Sequence, residues 1–410
     1  MAGARIPEPG MRSSGASAGL PRRAVHRALK ALAFACALSM GIGIGSARPA
    51  SAYPQWQLSK DAVRCAQCHF SPGGGGLVTD FGRDAMGGDQ ATFGGDGAFM
   101  HGLSPLPAWL ALGGDFRGAY VAESQSDPTG TKQAVFPMQA DVQARVAVSD
   151  FSLYASGGVR GQVRANSDFV PEQNYQPVDS SRLISREHYL MWRPSSTGWY
   201  ARAGRFYAPF GLRLAEHILY IRRDLGFNQL EESYNLSVGH LSDDAEVHLT
   251  AFAPDFVRHI GSRSYGMALY AERRAFDDAA VVAGQGKLEI TDDVTRAIGG
   301  LVGKAYFASL STQLFGEADW VRLLTPGGDS TQFVGALGAS FMPGRGLMLT
   351  LIGERRQTDL RVADSSTNAA ALLVNWFAYA HTEIVLMGRL QAPSGSETAK
   401  TLLLQLHYIL

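Results

Sequence analysis

Cys65-Ala66-Gln67-Cys68-His69 sets two thiols three positions apart, with an imidazole directly after the second. The chemistry open to that set is covalent and metal-directed. Each thiol can form a thioether to one of the two vinyl groups of a porphyrin, and the histidine below then donates a nitrogen to the iron. This is the attachment pattern of a c-type haem. In that reading Cys65 and Cys68 are the covalent anchors and His69 is the proximal axial ligand. Three other readings compete. A thioredoxin-like C-x-x-C belongs in a βαβ unit, which the chain does not display. Zinc needs a fourth ligand, and no second C-x-x-C or H-x-x-x-H follows. A structural disulfide leaves His69 without a role.

The iron's sixth position has several candidates downstream: Met86, Met100 and His101. Met–His ligation raises the reduction potential relative to bis-His. Each candidate also has a plain alternative, Met86 as a packing residue and Met100 and His101 as linker residues. A histidine of the later chain, such as His217, is a further candidate. No acid–base pair or activated nucleophile accompanies the motif. Bond-making catalysis is therefore unsupported, and any redox activity belongs at the haem edge.

The elements that must position this motif begin with its compartment. The third and last cysteine, Cys36, lies in an apolar N-terminal segment. Arg22, Arg23, Arg27 and Lys30 precede an apolar run over 31–44, and Ala50-Ser51-Ala52 is a small-x-small cleavage site. Residues 1–52 thus read as a signal peptide whose removal leaves only the motif cysteines. Cys36 is then a small apolar residue of the signal. Basic and acidic residues balance at 37 each, so nothing points to nucleic acid as a partner. No run reaches the ~18 apolar residues of a spanning helix. The nearest, 369–380, is short and contains Asn375.

Alternation dominates the remainder. Phe136, Met138, Ala140, Val142, Ala144, Val146 and Val148 interleave with Gln139, Asp141, Gln143 and Arg145. Similar period-2 stretches occupy 109–122, 151–163, 182–193, 198–208, 232–241, 245–254, 263–275, 279–290 and 294–305. They continue over 307–323, 331–342, 346–358, 368–378, 380–391 and 399–410. Strands in soluble domains average ~5–6 residues, whereas those crossing an outer membrane need ~9–11. The expectation is all-β: a transmembrane antiparallel β-barrel of about 16 strands over 107–410. Lipid of a bacterial outer membrane is its partner, reached by export through the signal peptide. Leu402, Leu404, Leu406, Tyr408 and Leu410 share one face of the last strand. A soluble sandwich or lipocalin-like barrel rarely needs so many long strands.

Two segments break the rhythm. Residues 205–213 read R-F-Y-A-P-F-G-L-R and lead into a polar stretch to Asn228. The first resembles segments of outer-membrane porin-like proteins. A loop folded into the lumen there would set a pore constriction with Arg213, Glu216, His217, Arg222 and Arg223. The alternative is a solvated extracellular loop. Residues 53–106 are half a usual cytochrome domain and carry the haem motif. So small a core gains stability by packing inside the barrel, so a plug is expected.

Signal, C-x-x-C-H, the run Pro72-Gly73-Gly74-Gly75-Gly76, Phe81-Gly82-Arg83 and a barrel together resemble the fused monohaem c-type cytochrome–porins of the outer membrane. Some of that group are similar to iron oxidases, whose pattern has fewer glycines after the haem motif. The resemblance implies electron transfer across the outer membrane through one covalent haem c. It also implies an extracellular donor or acceptor, such as Fe(II), and a periplasmic electron carrier, a soluble cytochrome. Two rivals stand beside it: an anion-selective solute porin with haem as plug or redox gate, and a haem-based sensor.

Overall fold

The computed structural model describes residues 57–58, 64–84, 90–124, 131–160, 183–228, 231–255 and 264–410. The expected signal peptide, Cys36 and Met86 lie outside the described residues.

Alternating sequence becomes long antiparallel strands. These are β1 (Leu110–Ser124), β2 (Thr131–Val148), β3 (Phe151–Arg160), β4 (Leu183–Ile184), β5 (His188–Trp192) and β6 (Trp199–Phe206). Then come β7 (Ser233–Leu241), β8 (Ala245–Ala253), β9 (Tyr265–Ala275), β10 (Ala280–Ile290), β11 (Thr295–Phe307) and β12 (Thr312–Thr325). The last five are β13 (Gly328–Gly344), β14 (Leu347–Gln357), β15 (Ser366–Tyr379), β16 (Thr382–Pro393) and β17 (Ala399–Ile409). β1 pairs with both β2 and β17, so the sheet closes and leaves no edge. β4 and β5 both pair with β3 and form one broken stave, which gives sixteen staves from seventeen segments. The break at Ser185, Arg186 and Glu187 turns Arg186 onto Asp141 at 2.9 Å. The Ser156 and Glu187 backbone N–H groups are satisfied across it.

Local chemistry explains the departures from the expected boundaries. The stretch over 307–323 does not run through. A 3₁₀ turn at Ala308–Leu310 and a left-handed Ser311 end β11, and β12 starts at Thr312. Pro137, which has no N–H for the ladder, sits at the register shift between β1 and β2.

The two faces of the sheet separate cleanly. Leu190, Leu236, Leu301, Leu351, Leu372 and Leu404 point outward and are exposed, forming an apolar belt. Arg202, Glu272, Lys304, Glu354 and Arg389 point into the lumen and are buried. Buried charges persist only when paired. Lys304 meets Glu272 at 2.9 Å and Arg389 meets Glu354 at 2.7 Å. Among the described residues no helix is long and apolar enough to cross a membrane, and the strands carry the crossing. Turns such as Ser149-Asp150 and 380–381 are short at the end where β1 begins and β17 stops. The connections over 207–232 and 358–365 at the other end are longer. Short turns mark the periplasmic side of such barrels and long loops the exterior. A closed barrel with this belt is the architecture of the bacterial outer membrane, as the sequence led one to expect.

Candidate cofactor site in the lumen

The C-x-x-C-H motif is built as a compact unit. α1 (Cys65–Cys68) is a single turn, which brings the two cysteines to one side. Its N-terminal backbone N–H, on Arg64, donates to Gln67 Oε1 at 3.1 Å. The chain then doubles back. His69 bridges Val78, and the Phe70 N–H donates to the Leu77 carbonyl at 3.1 Å. Ser71-Pro72-Gly73-Gly74 is the reversal, closed by the Gly74 N–H on the Ser71 carbonyl at 3.0 Å. Gly74 has φ +78°, and a Cβ there would stand 3.5 Å from Cys65 Sγ. Backbone therefore passes directly beside the thiol, which is what the glycine run permits.

Phe81-Gly82-Arg83 has an equally local purpose. α2 (Asp80–Asp84) is capped by Thr79 Oγ1, which accepts the Gly82 N–H at 3.1 Å. A Cβ on Gly82 would lie 2.4 Å from the Cys68 carbonyl oxygen, so only glycine lets α2 rest on α1. Arg83 is buried and donates to the Leu112 carbonyl of β1.

This segment is tied to the lumen wall. Arg202 donates to Ser71 Oγ at 2.8 Å, Lys304 donates to Gln57 Oε1 at 2.8 Å, and the Arg145 guanidinium lies over the Phe70 ring at 4.5 Å. Further along, the Thr92 N–H donates to the Phe377 carbonyl at 2.8 Å. His381, in the β15–β16 turn, contacts the carbonyls of Asp96 and Ala98 at 3.1 Å. The described residues before β1 thus enter the barrel from the short-turn end.

From the opposite end the loop over 207–228 folds inward. Phe210, Leu212, Leu214, Leu219, Ile221 and Leu225 are buried in one apolar cluster with the barrel wall. Polar straps fix it. The Leu212 N–H donates to Glu317 Oε2 at 2.7 Å, and the Gly211 N–H to Gln285 Oε1 at 2.7 Å. α3 (Tyr220–Arg223) is held by the Tyr220 N–H on Glu354 Oε1 at 2.5 Å. The inward-folded reading of this loop is the one the structure shows, rather than a solvated surface loop.

Plug and loop meet at a cavity of about 290 Å³. Cys65, Cys68 and His69 line it, together with Arg213, His217 and Arg222 from the loop. Neither cysteine is in a disulfide. Burial pushes the Cys65 thiol up, and burial together with neighbouring Cys65 pushes Cys68 up to about 12. Arg213 donates to the Gly73 carbonyl at 2.9 Å and lies 3.4 Å from Cys65 Sγ. Arg222 spends its donors inside the loop, on the carbonyls of Leu214 and Phe227. Glu216 and Arg223 do not line the cavity, and Arg223 pairs with Asp224 at 3.1 Å.

The expected sixth ligands fare differently. Met100 and His101 stand away from the cavity. Met100 is 43% exposed, and His101 Nε2 contacts Tyr408 Oη at 3.0 Å. Both adopt left-handed backbone in a 3₁₀ turn that docks on the barrel's end. Sequence reasoning did not single out Asp115, Arg117, Arg186, Glu187 and His407, which also line the cavity. Strand parity held part of that signal, because Asp115 and Arg117 fall on the polar side of the β1 alternation.

Two thiols outside any disulfide and an imidazole on one cavity, with a glycine cradle against Cys65, fit the donor set that a c-type haem requires.

No family model matches the chain, and no curated protein matches it. Solved structures do. OprB of Pseudomonas putida is similar at TM-score 0.57 with 10% identity, over 73% of this chain and 94% of that one. An anion-selective porin from Comamonas acidovorans gives 0.55 with 9% identity, over 73% and 99%. OmpT of Vibrio cholerae gives 0.54 with 10% identity, over 73% and 97%. At such identities the likeness is one of fold: the chain is a sixteen-stave barrel built like the outer-membrane porins.

Proposed function

We propose that this chain carries electrons across the outer membrane through one c-type haem bound covalently in the barrel lumen. One observation carries the reading. Cys65, Cys68 and His69 open together onto a cavity between plug and loop, with neither thiol in a disulfide. When bound, haem supplies a one-electron iron couple. The protein's residues do the rest. Cys65 and Cys68 anchor the group by thioethers, and His69 donates nitrogen to the iron. Gly74 lets the chain pass beside the anchored edge. The loop's apolar cluster excludes water on the exterior side. Arg117 and Arg186, each paired with an aspartate, bring guanidinium charge to the same cavity. An external donor such as Fe(II) and a soluble periplasmic carrier are the partners this reading requires.

The test is haem retention on the denatured polypeptide purified from outer membranes, followed by optical redox titration. Covalent haem with a defined potential supports the conduit. A chain without covalent haem sinks it.

The second reading is an anion-selective porin, favoured by the guanidinium groups of Arg64, Arg117, Arg186, Arg213 and Arg222 around the cavity. Pairing weakens the field they create. Arg117 meets Asp115 at 2.8 Å, Arg186 meets Asp141 at 2.9 Å and Arg213 meets Glu246 at 3.5 Å. Single-channel conductance separates the two readings: a closed barrel favours the conduit, an open anion-selective one the porin.

A further inference from the structure

We infer that His217 is the second axial ligand of an iron held by His69, delivered by the loop that enters from the exterior end. The inference rests on the haem reading above and adds the residue that completes the iron's coordination.

Three observations carry it. First, His217 and His69 line the same cavity, one from the loop and one from the plug. Second, His217 Nδ1 is buried with no hydrogen-bond partner among the described residues. A buried ring nitrogen in that condition is anomalous unless something else takes its lone pair or proton. Third, the competing side chains are committed elsewhere. His407, also on the cavity, is held by Glu383 at 2.9 Å and Asp115 at 3.1 Å. His188 is held by Ser185 and Tyr234, and His248 by Tyr200 and Glu246. His101 and His381 dock the plug's end. No methionine among the described residues lines the cavity.

The position of His217 is fixed. The straps from Glu317, Gln285 and Glu354 immobilise the loop on both sides of His217. Arg213, four residues earlier, joins the loop to the haem motif itself through Gly73. The ligand would thus be preorganised rather than recruited.

The experiment uses the full-length protein purified from outer membranes, with two separate readouts. Haem retained on the denatured chain reports attachment, and low-temperature electron paramagnetic resonance with optical spectra reports iron coordination. The wild type is expected to be low-spin and bis-imidazole. His217→Ala is expected to keep covalent haem but turn high-spin, bind carbon monoxide when reduced, and return to low-spin with added imidazole. His217→Met keeps a ligand of similar size should the alanine variant fold poorly. It is expected to show the sulfur–iron charge-transfer band and a higher potential. Met100→Ala and His101→Ala are expected to leave the spectra unchanged. An unchanged low-spin spectrum in His217→Ala, or a high-spin wild type as a sensor would have, overturns the inference while leaving haem attachment intact. Absence of covalent haem overturns both.

Discussion

Arg213 donates from Nη1 to the carbonyl oxygen of Gly73 at 2.9 Å, joining a loop from one end of the barrel to a segment that enters from the other. The residue sits at φ +56°, a left-handed backbone that a non-glycine side chain adopts only where its surroundings over-determine it. Those surroundings are Glu246 at 3.5 Å and the Tyr270 ring at 4.6 Å. Charge, ring and carbonyl converge on this one guanidinium where plug and loop meet.

Arg213→Ala is therefore expected to destabilise the barrel and open it. Removing one partner of a buried ion pair costs about 3–5 kcal/mol, because the other charge stays buried. Glu246 then keeps His248 at 3.3 Å and the charge of Lys304. Denaturant unfolding should register the loss, and planar-bilayer recordings should show raised conductance. Arg213→Lys keeps the charge but loses the fork, so an intermediate phenotype is expected. Conductance equal to wild type in Arg213→Ala would mean that the seal lies elsewhere.

Gly82 offers a sharper steric test. Its added Cβ would meet the Cys68 carbonyl oxygen at 2.4 Å, and that oxygen is backbone, unable to swing aside. Gly82→Ala is expected to push α2 off α1, lowering haem per chain several-fold and exposing the 64–84 segment to protease. Gly388→Ala in β16, where nothing lies within 4 Å of the new atom, is the matched control and should be neutral. Equal proteolysis patterns in the two variants would refute the steric account.

These residues also show how far the sequence could be read. Strand length and parity carried the barrel and its sixteen staves, because alternation is imposed locally by one lipid-facing and one lumen-facing side; whether the stretch after Arg205 folds inward or outward they left open. The motif cysteines and histidine stood out by their spacing alone, and the structure places all three on one cavity. What could not be read was distance. Met100 and His101 are near the motif in sequence, but their turn docks on Tyr408 and His381 at the barrel's end. His217 is 148 residues beyond His69 in the chain, and only the inward fold of the loop brings it to the cavity. The break at Arg186 was hidden for a similar reason, because its cause is Asp141 on β2, across β3.

Glu231, just before β7, yields a pH dependence of known sign. Burial raises its carboxyl from 4.5 to about 7, against the lowering exerted by the Asn228 N–H and Lys287. The folded chain thus keeps a proton that the unfolded chain releases once pH passes 4.5. Stability contributed by this group is complete below that value and is lost as pH climbs toward 7. Glu231→Gln should flatten that part of the unfolding profile in detergent. A wild-type profile that rises between pH 4.5 and 7, and that the substitution leaves alone, would contradict this.

The belt itself can be tested on the last strand, where two neighbours face opposite media. Leu404 is 46% exposed on the outer surface, whereas Gln405 turns toward the lumen. An arginine on the lipid face near the bilayer midplane costs about 2–4 kcal/mol, while a lumen position tolerates charge. Leu404→Arg should accordingly lose that much in folding into phosphatidylcholine vesicles, and Gln405→Arg should lose little. The comparison isolates the medium, because both changes add the same side chain to adjacent positions of one strand. Equal losses would mean that the outward leucines do not face lipid.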